Sequence, residues 1–149
     1  MKTLNLPEVE FKIRKKEANY EIFDVIRRKY VVLTPEEWVR QHFIHYLINV
    51  LSYPKSLIKV ENGLVYNKLL KRSDIVTYDA NAQPQLLVEC KSFKVEINQS
   101  TLNQATMYNK TLCAPYLVLT NGIKHYSFMK KGNSYTSIDE VPDFKKTRD

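Results

Sequence analysis

Apolar residues at 39, 43, 44, 47, 48 and 51 recur at intervals of three and four. That spacing predicts one face of a helix running from Thr34 to about Leu51. Its start is written in Thr34-Pro35-Glu36-Glu37. Thr34 suits the N-cap, Pro35 the first helical position, and Glu37 the place where a capping box puts its carboxylate. Ser52-Tyr53-Pro54 ends the pattern. Strand-like stretches follow at 57–61, 75–78 and 86–90. The Asn62-Gly63 turn signal, a basic connection at 64–72 (Lys68, Lys71, Arg72) and the turn formers of 79–84 separate them. Over 98–112, Leu102, Ala105, Tyr108 and Leu112 keep helical spacing, with Asn98, Ser100 or Thr101 as candidate caps. The apolar run 116–119 ends at Asn121-Gly122, and 123–129 alternates as a last strand. Upstream, 20–26 alternates as a short strand inside a charged stretch. Residues 1–33 are therefore either an extra strand pair or an arm packed on the core. The organisation expected is an extension at 1–33, a domain at 34–140 and a polar, frayed tail at 141–149. Helix, three strands, helix, two strands make a mixed sheet flanked by helices, an α/β or α+β domain.

Composition narrows the function. With 149 residues, 44% hydrophobic and 26% charged, the chain has the profile of one globular domain that needs no disulfide or metal to fold. A net charge of +7 favours polyanionic partners, nucleic acid first. Glycines stand only at 63, 122 and 132, too far apart for a phosphate loop or a dinucleotide fingerprint, which excludes nucleotide-driven motors and dinucleotide-dependent oxidoreductases within this chain. Cys90 and Cys113 sit among apolar neighbours without a Cys-x-x-Cys pair, so both are expected to be reduced, buried thiols. The first residues lack the apolar core of a signal peptide, and no apolar run approaches the ~20 residues of a membrane span. A cytoplasmic location without a membrane partner is expected.

The chemistry concentrates at 74–91. With a turn centred between Asn81 and Ala82, antiparallel pairing sets Asp74 opposite Glu89, Val76 opposite Leu87 and Tyr78 opposite Gln85. Alternation then puts Asp74, Glu89 and Lys91 on one face, with Val88 and Cys90 on the other. Directly opposed carboxylates destabilise a sheet, and they invite a raised pKa or a cation between them. Lys91 offsets part of that charge, and a hard divalent ion such as Mg²⁺ would offset more. The plainer alternative makes Asp74 a strand cap beside Arg72, and Glu89 and Lys91 a solvated face. The apolar run around Glu89 (Leu86, Leu87, Val88, Cys90) argues for a central strand, where ionised groups seldom sit without a purpose. His42 and His45 have metal-binding spacing but no evident third ligand, and His125 reads as structural. The ten tyrosines could stack on bases, though most read as core or rim.

Arg72-Ser73-Asp74-Ile75-Val76 followed by Leu87-Val88-Glu89-Cys90-Lys91 resembles the PD-(D/E)XK nuclease signature, with Ser73 in place of the proline. Three more stretches are similar to the N-terminal nuclease domain of type I restriction enzyme R subunits: the helix start 34–41, Gln104-Ala105-Thr106-Met107-Tyr108, and Leu119-Thr120-Asn121-Gly122. The likeness runs from about residue 34 to 128 and leaves 1–33 uncovered. It implies a restriction-endonuclease-like α/β fold, a mixed sheet flanked by helices, and Mg²⁺-dependent hydrolysis of DNA phosphodiesters, with Mn²⁺ as a substitute ion. Asp74, Glu89 and the backbone carbonyl of Cys90 would bind the metal, and Lys91 would act on the attacking water or the developing charge. Glu37, or Glu36, would add a helix carboxylate unless it only caps. Gln104 and Tyr108 would reach the active site or the DNA backbone. Motor, modification or specificity components of a restriction system would be partners, and double-strand cutting would call for a homodimer. The rival reading is a non-catalytic DNA-binding or assembly module that keeps the fold.

Overall fold

The alternation at 20–26 belongs to the middle strand of a small antiparallel sheet. Its strands are β1 (Ile13–Lys16), β2 (Asn19–Asp24) and β3 (Lys29–Val32), in the order β1-β2-β3. The structure, a computed structural model, describes residues 1–62 and 73–148. The N-terminal region thus forms three strands rather than a pair. One face is buried through Ile22 and Asp24, and the other carries Arg14, Phe23 and Tyr30.

Thr34 then starts α1 (Pro35–Asn49), its side chain accepting the Glu37 N–H at 3.0 Å with proline at the first position. Only half of the capping box forms, because the Thr34 N–H goes to Val32 O and the Glu37 carboxylate turns elsewhere. A 3-10 turn (Lys55–Leu57) leads into β4 (Ile58–Asn62), followed by β5 (Ser73–Tyr78) and β6 (Pro84–Cys90). Gly63 and the basic connection with Lys68, Lys71 and Arg72 lie outside the described residues. α2 (Gln99–Leu112) is capped by Asn98 in a full capping box with Thr101, which decides among the candidate caps. β7 (Tyr116–Thr120), β8 (His125–Lys131) and β9 (Ser134–Ile138) complete a six-stranded sheet in the order β4-β5-β6-β7-β8-β9. The β6–β7 pair is parallel and the other pairs antiparallel, so this is an α/β fold with a mixed sheet flanked by helices.

Alternation sorts the sheet into two cores. Ile75, Leu86, Val88, Cys90 and Val118 face α1, where Val39, Phe43, Ile44 and Leu47 meet them. Val76, Leu87, Leu117 and Leu119 face α2 and Ala105. Several details depart from the sequence pattern. The alternation at 123–129 becomes β8 two residues later, and β9, a polar strand, follows it. Most of the tail is not frayed: α3 (Phe144–Arg148) docks through Phe144, whose N–H donates to Leu51 O at 2.9 Å. Cys113 is exposed, because it occupies the left-handed C-cap of α2 (φ 61°), while Cys90 is buried. Among the described residues no helix is long and apolar enough to cross a membrane.

The first residues are pinned to this frame. Leu4 is buried, and the Asn5 N–H donates to Gly122 O at 2.8 Å. Gly122 has φ +84°, and a Cβ there would stand 2.9 Å from Leu4 Cδ2 and 3.1 Å from Val39 Cγ2. Gly122→Ala is therefore expected to cost about 1–3 kcal/mol through overpacking and backbone strain. A urea unfolding curve checks this, and an unchanged midpoint would show that Leu4 yields freely.

Candidate active site

The hairpin of β5 and β6 places the acidic residues. Ile75 pairs with Val88, Val76 with Leu87 and Thr77 with Leu86. A bulge between Thr77 and Tyr78 then shifts the register, so Tyr78 lies opposite Pro84 rather than Gln85. The paired ladder ends at Ile75 and Val88, one step before the expected Asp74–Glu89 pair. Asp74 has Glu61 of β4 as its partner, and Glu89 has Leu119 of β7. Alternation puts Asp74 with Val76, and Glu89 with Leu87, on the α2 face.

Both carboxylates are buried, each 2% exposed. Lys91 follows β6, and its Nζ stands 3.4 Å from Glu89 Oε1 with the side chain 26% exposed. Its backbone N–H donates to Thr120 O at 2.8 Å, tying the end of β6 to β7. Asn121 fixes the next turn by donating to Val95 O and accepting from the Ile123 and Lys124 N–H groups. The Glu89-Cys90-Lys91 exit is thus held by backbone as well as side-chain bonds. Cys90 points the other way: its thiol is buried in the α1-face core, and desolvation pushes its pKa well up. A metal-ligand role at this position would fall to its backbone carbonyl, not to the thiol.

Gln104 and Tyr108 sit one turn apart on α2, the first exposed and the second packed against the α2-face core. Glu61 joins this strand end without any signal in the sequence pattern. It is Asp74's cross-strand partner, and its Oε1 accepts the Tyr78 hydroxyl at 2.8 Å. Burial, and then that bond, push the Tyr78 pKa up. Nothing local marks Glu61, since its neighbour is reached only through β4–β5 pairing. Among the described residues, no three His, Cys, Asp or Glu side chains form a metal-holding group.

Glu37 enters a different cluster. Its Oε2 accepts from Arg27 at 2.8 Å and from Gln41 at 2.9 Å, and its Oε1 accepts from Arg40 at 2.9 Å. Glu36, the alternative helix carboxylate, is half exposed and pairs with Arg40 at 2.8 Å. Asp24 of β2 completes the cluster, accepting from the Arg27 side chain and from Gln41. These bonds lock the N-terminal sheet onto α1. The histidines are absorbed by packing: His42 and His45 lie edge-on to Phe11, and His125 bridges Thr120 Oγ1 and Asn5 O. Burial lowers the pKa of both helix histidines.

A family model for the N terminus of type I restriction enzyme R proteins matches residues 35–142. The chain belongs to that family. Comparison with curated proteins and with solved structures returns no match. The type I R-protein match begins at α1 and ends before α3, so it takes in Asp74, Glu89, Lys91, Gln104 and Tyr108 and leaves out β1–β3.

Burial alone would raise the Asp24 pKa, but the backbone and side-chain bonds from Arg27, then Gln41 and the Arg27 charge, lower it overall. A carboxylate depressed on folding stabilises the native state above its unfolded pKa, about 4, and that stability is lost as pH falls through the folded value. Asp24→Asn should therefore lower stability at neutral pH by about 1.5–3 kcal/mol and flatten the acid limb. Chemical denaturation across pH 2–7 reads both; parallel acid limbs for the two proteins would contradict the assignment.

Proposed function

We propose that this domain is a Mg²⁺-dependent endodeoxyribonuclease. The observation that carries the reading is the pair of buried carboxylates, Asp74 and Glu89, on one face of two adjacent strands, with the Lys91 ammonium 3.4 Å from Glu89. The donor set suits the ion, since Mg²⁺ is commonly held by one or two carboxylates and keeps several waters. Asp74, Glu89 and the Cys90 carbonyl would hold it, with Mn²⁺ as a substitute. When bound, such an ion supplies Lewis acidity at the phosphoryl oxygen and lowers the pKa of a bound water.

The chain's own groups do the rest. Lys91 orients the attacking water, or as the neutral amine takes its proton onto Nζ, or as the ammonium neutralises charge developing on the phosphorane-like transition state. Glu89 holds that ammonium in place. Gln104 and Tyr108 position the DNA from the α2 side. Glu37, engaged by Arg27, Arg40 and Gln41, acts as a positioning residue for α1 rather than as a ligand. DNA is the substrate, and the domain works in the cytoplasm. Motor, modification and specificity components supply translocation and site choice, and a second copy supplies the second cut.

One observation favours a second reading, a non-catalytic DNA-binding or assembly module: the lack of a three-residue metal-holding group among the described residues. A Mg²⁺-dependent plasmid-nicking assay separates the two. Wild type should nick, and Lys91→Ala should lose about 10²–10⁴-fold in rate while keeping its DNA affinity. Asp74→Ala should lose both nicking and Mn²⁺ binding by calorimetry. Normal nicking by Lys91→Ala would overturn the mechanism, and no nicking by wild type would leave the binding module. Gln104→Ala should slow nicking more than it lowers the melting temperature; equal damage to both would mean that the residue only packs.

A further inference from the structure

The outer face of the N-terminal sheet carries rings and cations together. The Phe23 N–H donates to Lys12 O at 2.9 Å, so the β1–β2 register extends one residue before β1. Register and alternation then put Lys12, Phe23 and Tyr30 in one row, and Arg14, Glu21 and Val32 in the next, with Lys16 beginning a third. The opposite face holds Ile22 and Asp24, both fully buried. The Phe23 and Tyr30 rings meet edge to face, their centres 5.3 Å apart. The Arg14 guanidinium lies over the Tyr30 ring at 3.9 Å, and Lys12 Nζ over the Phe23 ring at 5.7 Å. Glu21 orients that guanidinium by accepting from Arg14 Nε at 2.8 Å.

The domain's own packing does not use this face. Among the described residues, neither ring joins either hydrophobic core, and Val32 beside them is 52% exposed. Lys12 and Lys16 are exposed and have no carboxylate ion pair among the described residues. Only Glu21, already engaged by Arg14, offsets the three positive charges of these rows.

The chemistry selects a partner with evenly spaced anions and flat faces. Alternate residues of a strand stand about 6.8 Å apart, close to the spacing of successive phosphates along an extended single strand of nucleic acid. Lys12, Arg14 and Lys16 keep that period along the sheet edge, because β1 is the outer strand. A strand lying along β1 turns its bases inward over β2 and β3. There the Phe23 ring and the solvent side of the Arg14–Tyr30 stack offer π faces. Aromatic rings and guanidinium planes are the surfaces on which unpaired bases stack. Duplex bases are already stacked on one another, so a duplex engages the cations alone. An acidic peptide does the same and leaves the rings unused.

The face is also firmly mounted. Asp24, the last residue of β2, accepts from Arg27 and from Gln41 of α1. Residues 12–32 precede the family match at 35–142, so the feature belongs to this chain's extension and not to the matched region.

We propose that the outer face of β1–β3 binds single-stranded DNA, with phosphates on Lys12, Arg14 and Lys16 and bases on Phe23 and the Arg14–Tyr30 stack. The site needs no metal and none of Asp74, Glu89 and Lys91. Only the choice of DNA over RNA rests on the nuclease reading.

Fluorescence anisotropy of labelled oligo-dT with the full chain in EDTA, over a range of salt, tests it. Phe23→Leu/Tyr30→Leu should weaken binding about tenfold or more at an unchanged salt slope, because it removes stacking and no charge. Lys12→Gln/Lys16→Gln should lower the steepness of log K against log salt by about 1.4, or 0.7 for each lost phosphate contact. Lys145→Gln/Lys146→Gln removes the same charge elsewhere and should match wild type. Binding of a blunt duplex should be the same for Phe23→Leu/Tyr30→Leu and wild type. Circular dichroism checks that the leucine pair folds; if it does not, the exposed lysine pair alone decides. Unchanged oligo-dT binding in either variant, an equal loss for the duplex, tighter binding of oligo-rU, or equal displacement by polyglutamate would each overturn the proposal. A protein that binds oligo-dT through these residues yet never nicks plasmid sinks the nuclease reading alone. One that nicks while both variants hold oligo-dT as wild type does sinks this proposal alone.

Discussion

Everything at the candidate site depends on the register between β5 and β6. Side chains alternate along a strand, so a slip of one residue would turn Asp74 or Glu89 to the α1 face and leave a charge in the apolar core. The chain holds this register in three ways. Ile75 and Val88 bury on one side while Val76 and Leu87 bury on the other. The bulge after Thr77 absorbs the mismatch at the turn. The Lys91 N–H bond to Thr120 O pins the exit of β6 to β7. A strand apolar on both faces accepts ionised groups only at its end, and that is where Glu89 stands.

The two faces of the sheet use charge differently. On the α2 side, the buried Glu89 carboxylate meets the partly exposed Lys91 ammonium. On the α1 side, Asp24, Arg27, Glu37, Arg40 and Gln41 form a linked set of bonds in which each carboxylate faces a guanidinium. Removing one partner from such a set strands a buried charge, which is far more costly than the intact pair is stabilising. The set therefore acts as a geometric lock. It fixes the N-terminal sheet on α1, and α1 packs against β6 from the other side. The Val25–Arg28 turn inherits its position from that lock.

Much of the site is legible in the chain because it is local. Asp74, Glu89 and Lys91 lie on one hairpin and its exit, where period-two alternation assigns faces without knowledge of the rest. The first helix and its Thr34 cap, and the Asn98 start of α2, are equally local. The resemblance to type I restriction R subunits rested on the same stretches, and the family match covers them. The polar β9 is not legible in the sequence, because an edge strand with one solvated side carries little hydrophobic signal. Cys113 is exposed despite apolar neighbours in sequence, because the left-handed cap turns its thiol out.

Non-local pairing decided what remained. Glu61 became Asp74's neighbour only when β4 paired with β5. Glu37 reads from sequence as a cap or a ligand, and it found Arg27 only once the first sheet docked on α1. Periodicity reports which way a side chain faces within its own element. Which other element meets that face is set by the free energy of the whole packed chain, and so it appears only when the elements are assembled.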